Sequence, residues 1–130
     1  MNRAVKFIKD CGVFYLATVD GDYPHVRPFG AITEYDGKIY ITTGNKKNVY
    51  RQMIVNPNIE ISATAEDGSW IRLTGRATVE VNEGAKAAVM ADYEGIKDIY
   101  KGREEEFSIL SLYDVTAIIY SGEDEEVIEM

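Results

Sequence analysis

The residues best suited to chemistry in this sequence are cations: Lys46 and Lys47 in TTGNKKNVYRQMIVNP (42–57), and Arg27 in HVRPFG (25–30). The first stretch starts as the end of a strand, turns at Gly44 and becomes helical, because Val49, Tyr50, Met53 and Ile54 recur at helical spacing. That spacing predicts a helix over 46–56 with both lysines in its first turn. There the helix dipole is positive and the leading amides lack intrahelical partners. Thr42, Thr43 and Asn45 add hydroxyl and amide groups at the same place. Two readings are open. Lysines pointing into solvent would lose only roughly a few tenths of a kcal/mol, whereas a bound phosphate would turn the repulsion into attraction. The glycine pattern of a P-loop is missing.

Arg27 sharpens the choice. It lies one hairpin upstream, and antiparallel pairing of 25–33 with 38–43 would bring it near Thr42. Strand alternation puts His25, Arg27 and Phe29 on one side, Val26 and Pro28 on the other. A guanidinium beside two threonines and two lysines makes a phosphate site. The competing reading is a surface cation in a cross-strand ion pair.

These cations stand in an acidic chain. With 14 basic and 22 acidic residues the net charge is −8, which argues against nucleic-acid backbone or an anionic membrane as partner. Glu104, Glu105, Glu106 and the tail EDEEVIEM read as solvated surface. The single cysteine, Cys11, leaves no disulfide framework and no cysteine cluster for a metal. It fits a reducing cytoplasm and reads as a buried, inert thiol. No apolar run approaches the roughly 20 residues that span a bilayer, and MNRAVKFIKDCG lacks the apolar block of a signal peptide. The expected location is cytoplasmic. Neither a metal-ligand spacing nor a serine–histidine–acid arrangement is present, so the catalytic residues stay unassigned.

The elements that must position the cations follow from punctuation and periodicity. A short helix over 2–9 ends at Gly12, and VFYLATV (13–19) reads as a buried strand. After the turn DGDYP, residues 25–35 form one extended run, interrupted at Pro28 and Gly30. Asp36-Gly37 marks a hairpin into KIYITT (38–43). Past the helix, Asn56-Pro57 leads to a strand over 58–65, and Asp67-Gly68 turns the chain into WIRLTGRATVEV (70–81). Ile71, Leu73, Ala77, Val79 and Val81 are expected on one face of that strand. Asn82 caps a helix to about Asp92, and a second short helix falls near 95–101. Residues 107–121 supply the last strand or pair of strands, and the tail (122–130) is expected to fray. The whole predicts one mainly β domain over 1–130: a six- to seven-stranded antiparallel barrel with a few peripheral helices.

At this point the run FYLATVDGDYPHVRPFGAITEYDGKIYITTGNKKNVYRQMIVNPNIEISA resembles the FMN-binding split barrels related to pyridoxamine 5′-phosphate oxidase, and among them the small bacterial general-stress and nitroimidazole-reductase-like flavoproteins. Four pieces carry the likeness over residues 10–81: the first-strand LAT with its DG and P, the VRP strand, the lysine-bearing strand-to-helix turn followed by NP, and WIRLTGRA. The resemblance implies a Greek-key split barrel that binds FMN. Arg27 and the backbone of Pro28, Phe29 and Gly30 would hold the phosphate and flank the isoalloxazine. Thr42 or Thr43 with Lys46 and Lys47 would complete phosphate binding. The family's cofactor sites lie at a homodimer interface, and Trp70 and Arg72 are candidates for the second subunit's side; for Trp70 a partly buried packing role is the alternative.

His25, the sole histidine, is either a contact at the flavin edge or a structural strand residue. Tyr50, Tyr113 and Tyr120 read as core or interface. The true oxidases carry a C-terminal segment with an aromatic and an arginine that grip pyridoxal phosphate. SGEDEEVIEM is acidic and would repel a phosphorylated substrate, so oxidation of pyridoxamine phosphate is not expected. The implied activity is an FMN-dependent oxidoreductase acting on a small organic substrate, with a nicotinamide as one admissible reductant. A non-catalytic flavin carrier or stress-related sensor is the alternative, and a purely structural barrel dimer a third. The short chain and the lysine turn favour FMN over a deazaflavin or haem.

Overall fold

The computed structural model describes residues 2–130. Helix α1 (Arg3–Cys11) is capped by Asn2, whose side chain accepts from the amides of Ala4 and Val5, and it stops at Gly12 with φ of 83°. Four strands follow: β1 (Phe14–Asp20), β2 (Tyr23–Phe29), β3 (Ile32–Tyr35) and β4 (Lys38–Gly44). Helix α2 (Asn48–Val55) leads to β5 (Asn58–Thr64) and β6 (Trp70–Glu80). Helices α3 (Glu83–Asp92) and α4 (Gly95–Ile99) and a 3₁₀ turn at Glu104–Glu106 precede β7 (Phe107–Ser121) and β8 (Asp124–Ile128).

All strand pairs are antiparallel, in the order β2-β1-β5-β6-β7-β4-β3 with β8 added beside β7. The two ends of that path, β2 and β3, are consecutive in the chain and separated only by Gly30 and Ala31. A connection that short can join opposite sheet edges only if the sheet curls round on itself. The result is a barrel with a seam at residues 30–31, and the seam positions everything that follows.

Six expectations need correction. The extended run 25–35 is two strands on opposite sides of the seam, so Arg27 pairs with Leu16 of β1 and not with β4. Helix α2 begins two residues later than its spacing suggested, so Lys46 and Lys47 precede it, Lys47 as the N-cap. The strand of residues 14–20 is not buried on both faces: Phe14, Leu16 and Thr18 point inward while Tyr15 is exposed. Val81 lies past the end of β6 and is 92% exposed. The tail does not fray; it forms β8, with Ile128 buried and Arg3 of α1 paired to Glu126. With that strand the count is eight, above the expected six or seven.

Two apolar clusters hold the sheet. The barrel interior packs Phe14, Leu16, Ile41, Ile61, Leu73 and Leu110, and is closed by Val5 and Ile8 of α1 and by Val49 and Met53 of α2. The second lies on the outer side of β4 and β7, where Tyr40, Phe107 and Ile109 meet Ala85 and Val89 of α3, Ile96 of α4 and Tyr100 just beyond it. Strand β7 is therefore buried on both faces from Phe107 to Leu112, which is why FSILSL shows so little alternation. Between these layers the Glu80 carboxylate accepts hydrogen bonds from Ser111 (2.7 Å), Tyr40 (2.9 Å) and Lys38 (3.0 Å), tying β4, β6 and β7 together. The Ser111 and Lys38 bonds hold its pKa below the usual glutamate value. Burial, and then Glu80, pushes the Tyr40 phenol up to about 12.

Candidate functional site

At the seam the barrel opens into a cavity of about 500 Å³, a volume typical of small-molecule sites. One side is residues 27–31, from Arg27 through Pro28, Phe29 and Gly30 to Ala31. Thr42 and Thr43 of β4 and Lys47 and Val49 around the start of α2 form the next. Tyr93, Gly95, Ile96, Ile99 and Tyr100 make an apolar wall opposite.

Arg27 is held with unusual care. One guanidinium nitrogen donates to the Leu16 carbonyl (3.1 Å) and the Thr18 hydroxyl (2.8 Å), and the other donates to the Gln52 side-chain oxygen (3.0 Å). The Thr18 hydroxyl in turn donates to the same Gln52 oxygen at 2.6 Å, both residues being buried. This fixes the direction of the guanidinium and links β1, β2 and α2. Every one of these acceptors is neutral. Among the described residues Arg27 has no ion pair, and burial holds its pKa below the ordinary arginine value. A half-buried cation met only by neutral oxygens still lacks a counter-charge.

Lys47 also lacks a counter-charge, although it is exposed where Arg27 is half-buried. It caps α2 without a side-chain capping bond, lines the cavity and forms no ion pair among the described residues. Thr43 is 4% exposed, and neither its hydroxyl nor that of Thr42 bonds to another described residue, so both are free to meet a ligand. Lys46 is exposed and does not line the cavity.

Of the ten residues picked from the sequence, the fold thus gathers seven: Arg27, Pro28, Phe29, Gly30, Thr42, Thr43 and Lys47. Lys46 stands at the rim of the same turn. Trp70 and Arg72 are on the outer face of β6, away from this cavity: Trp70 stacks on Tyr120 at 4.2 Å, and Arg72 lies against both rings and faces Glu60 at 3.6 Å. His25 is exposed on β2 and lies outside the cavity lining. Cys11 packs partly buried against the barrel interior, and burial pushes its thiol pKa up, which suits an inert thiol. Among the described residues no group of three or more histidine, cysteine, aspartate or glutamate side chains could hold a metal, and no helix is long and apolar enough to cross a membrane.

Sequence reasoning missed the wall and the support. Tyr93, Ile96 and Tyr100 recur at helical spacing, a signal that was available, but nothing local says that this stripe faces residues 27–31. Thr18 and Gln52 gave a weaker cue: each is a polar residue on an otherwise apolar inward face.

The family model described as Pyridoxamine 5′-phosphate oxidase matches residues 2–113. The chain belongs to that family. Among solved structures, a NimC/NimA family protein from Clostridium acetobutylicum is similar at 40% identity over 98% of this chain and 90% of that one, with a TM-score of 0.92. General Stress Protein 26 from Bacillus anthracis shares the fold at 18% identity, 97% and 95% coverage and a TM-score of 0.76. A heme binding protein from Mycobacterium smegmatis shares it at 16% identity over 96% of this chain and 55% of that one, with a TM-score of 0.78. None of the curated proteins matches the chain. Membership covers the seam, β4 and the lysine turn, so the cavity belongs to the part of the chain that defines the family.

Proposed function

We propose that this protein binds FMN in the seam cavity and acts as a flavin-dependent oxidoreductase on a small organic molecule. The observation that carries the reading is the unmatched positive charge of Arg27 and Lys47 at a cavity that is otherwise largely apolar. FMN has the complementary shape in chemical terms, an anionic phosphate at one end and a flat, apolar ring at the other. Arg27, Thr42, Thr43 and Lys47 would hold the phosphate, with Lys46 at the rim, while Pro28, Phe29 and Gly30 flank the ring. When bound, FMN would supply the electron transfer; the chain supplies orientation and a dry wall at Tyr93, Ile96 and Ile99. Haem suits the lining less well, since among the described residues it offers only tyrosines as axial ligands, and the Tyr93 hydroxyl is already bonded to Ile32.

The working unit in this proposal is a homodimer with two equivalent cofactor sites. The outer sheet face supports it, because Tyr15, Val26 and Val127 are exposed there beside the Trp70–Tyr120 stack. Trp70 and Arg72 would then close the open side of the partner's cavity. A cytoplasmic setting, with a nicotinamide as electron source, belongs to the same proposal. The single cysteine supports that setting.

Two measurements test the function in sequence. Titration of the flavin-free protein with FMN should saturate near one FMN per chain, with a change in the flavin absorbance bands; absence of saturable binding overturns the proposal. Reduction of the bound flavin by a nicotinamide and reoxidation by a small nitroaromatic acceptor then separates an enzyme from a flavin carrier. Binding without turnover would favour the carrier.

A further inference from the structure

Tyr93 and Tyr100 both line the cavity from the same wall, yet their hydroxyls differ. The Tyr93 hydroxyl donates to the Ile32 carbonyl (3.1 Å) and accepts from the Ile32 amide (3.3 Å), so it is fully engaged in holding the wall to β3. Tyr100 is 7% exposed, and its hydroxyl has no hydrogen-bond partner among the described residues. Among the described residues no fully enclosed polar side-chain atom is left without a partner, so this hydroxyl opens onto the cavity its residue lines. Its ring is fixed by an edge contact with Phe107 (5.4 Å) and by Arg103 across its face (5.0 Å).

The place where it opens is specific. A Cβ built on Gly44 would stand 3.2 Å from the Tyr100 oxygen, a tight contact, so a glycine here lets the phenol sit against the end of β4. Gly44 follows Thr43, and its carbonyl accepts from the Lys47 amide at 3.1 Å. The phenol therefore hangs over the turn that joins Thr43 to Lys47 and the start of α2. It is a largely buried hydroxyl with no hydrogen-bond partner among the described residues, beside a turn whose Lys47 forms no ion pair among them. An oxyanion there would accept from the phenol and answer the Lys47 charge at once.

We infer that the Tyr100 hydroxyl is a direct ligand of the anion held at the Thr43–Lys47 turn, donating a hydrogen bond from the opposite wall. The inference rests on the phosphate-binding reading given above and adds a contact from a segment more than fifty residues further along the chain. The phenol is a donor throughout the neutral range, because burial lifts its pKa above the ordinary tyrosine value, against the lowering effect of Arg103.

The test compares FMN with riboflavin, which lacks the phosphate, on wild type and Tyr100→Phe. Because the hydroxyl has no internal partner, the variant should unfold at the same temperature as wild type when ligand-free. FMN affinity should fall at least about tenfold, as expected for one hydrogen bond to a charged group, while riboflavin affinity stays unchanged. Equal loss for both ligands would assign Tyr100 to ring packing and overturn the inference, and so would no loss for either. Wild type that fails to prefer FMN over riboflavin would remove the phosphate reading itself, and this inference with it.

Discussion

Arg27 and Arg72 both project from strands of the same sheet, and they are satisfied in opposite ways. Arg72 is exposed, faces the Glu60 carboxylate, lies over the Trp70 and Tyr120 rings and donates to the Tyr120 hydroxyl at 3.2 Å. Its charge is answered within the chain, by a surface pair of the kind worth about 0–1 kcal/mol. Arg27 is half-buried and held by three hydrogen bonds, all to neutral oxygens, so its direction is fixed and its charge is not answered. Hydrogen-bond count and charge balance are separate quantities, and the difference between them locates the site.

The largest expected effect breaks the comparison at its centre. Arg27→Ala should weaken FMN binding more than tenfold, since a hydrogen bond to a charged group contributes about 1.5–3 kcal/mol. Arg72→Ala should change it only a few-fold; equal losses in the two variants, read by flavin titration, would erase the distinction. Next in size is Lys47→Ala, expected to cost about tenfold, while Lys46→Ala costs a few-fold because Lys46 does not line the cavity. Without ligand, the double change should be neutral or stabilise by roughly a few tenths of a kcal/mol, because two cations leave the positive end of α2. Trp70→Ala sharpens the other side: loss of the Trp70–Tyr120 stack should move sedimentation toward monomer and lower the unfolding free energy by about 0.5–1.5 kcal/mol beyond the lost area. An unchanged dimer would remove this face from the assembly.

The smallest effect is in acid, at a region remote from the cavity. Glu80 titrates below its ordinary value in the folded protein, so its contribution is present above the unfolded pKa of about 4.3 and is lost as pH falls through the folded value. Glu80→Gln should be less stable than wild type at neutral pH, and the gap should narrow below about pH 4. A gap that is constant with pH would mean that the Ser111, Tyr40 and Lys38 bonds do not depend on the charge.

Much of the scaffold was legible because its signals are local. Asp36-Gly37 takes φ of 50° and 77° in its hairpin, Gly12 ends α1, and Asn82 caps α3 by accepting from the Ala85 amide. Strand β8 was hidden because Asp124, Glu125 and Glu126 read as solvent-facing tail, although charge is also how an edge strand is kept from pairing further. The split of residues 25–35 was hidden for a different reason. Sheet closure is a property of the whole path, and Gly30-Ala31 looks like any bulge until both edges are known. In the site, the cations were legible from their contrast with an acidic chain. The wall at Tyr93–Tyr100 was not, because its helical stripe says only that one face is buried, not which strand it meets.

The most direct test of the account measures FMN and riboflavin affinity for wild type and Arg27→Ala in one series. Wild type should prefer FMN by at least about tenfold, and Arg27→Ala should lose most of that preference while binding riboflavin as before. Equal wild-type affinity for the two flavins, or a preference that survives loss of Arg27, would contradict the claim that this cation awaits a phosphate.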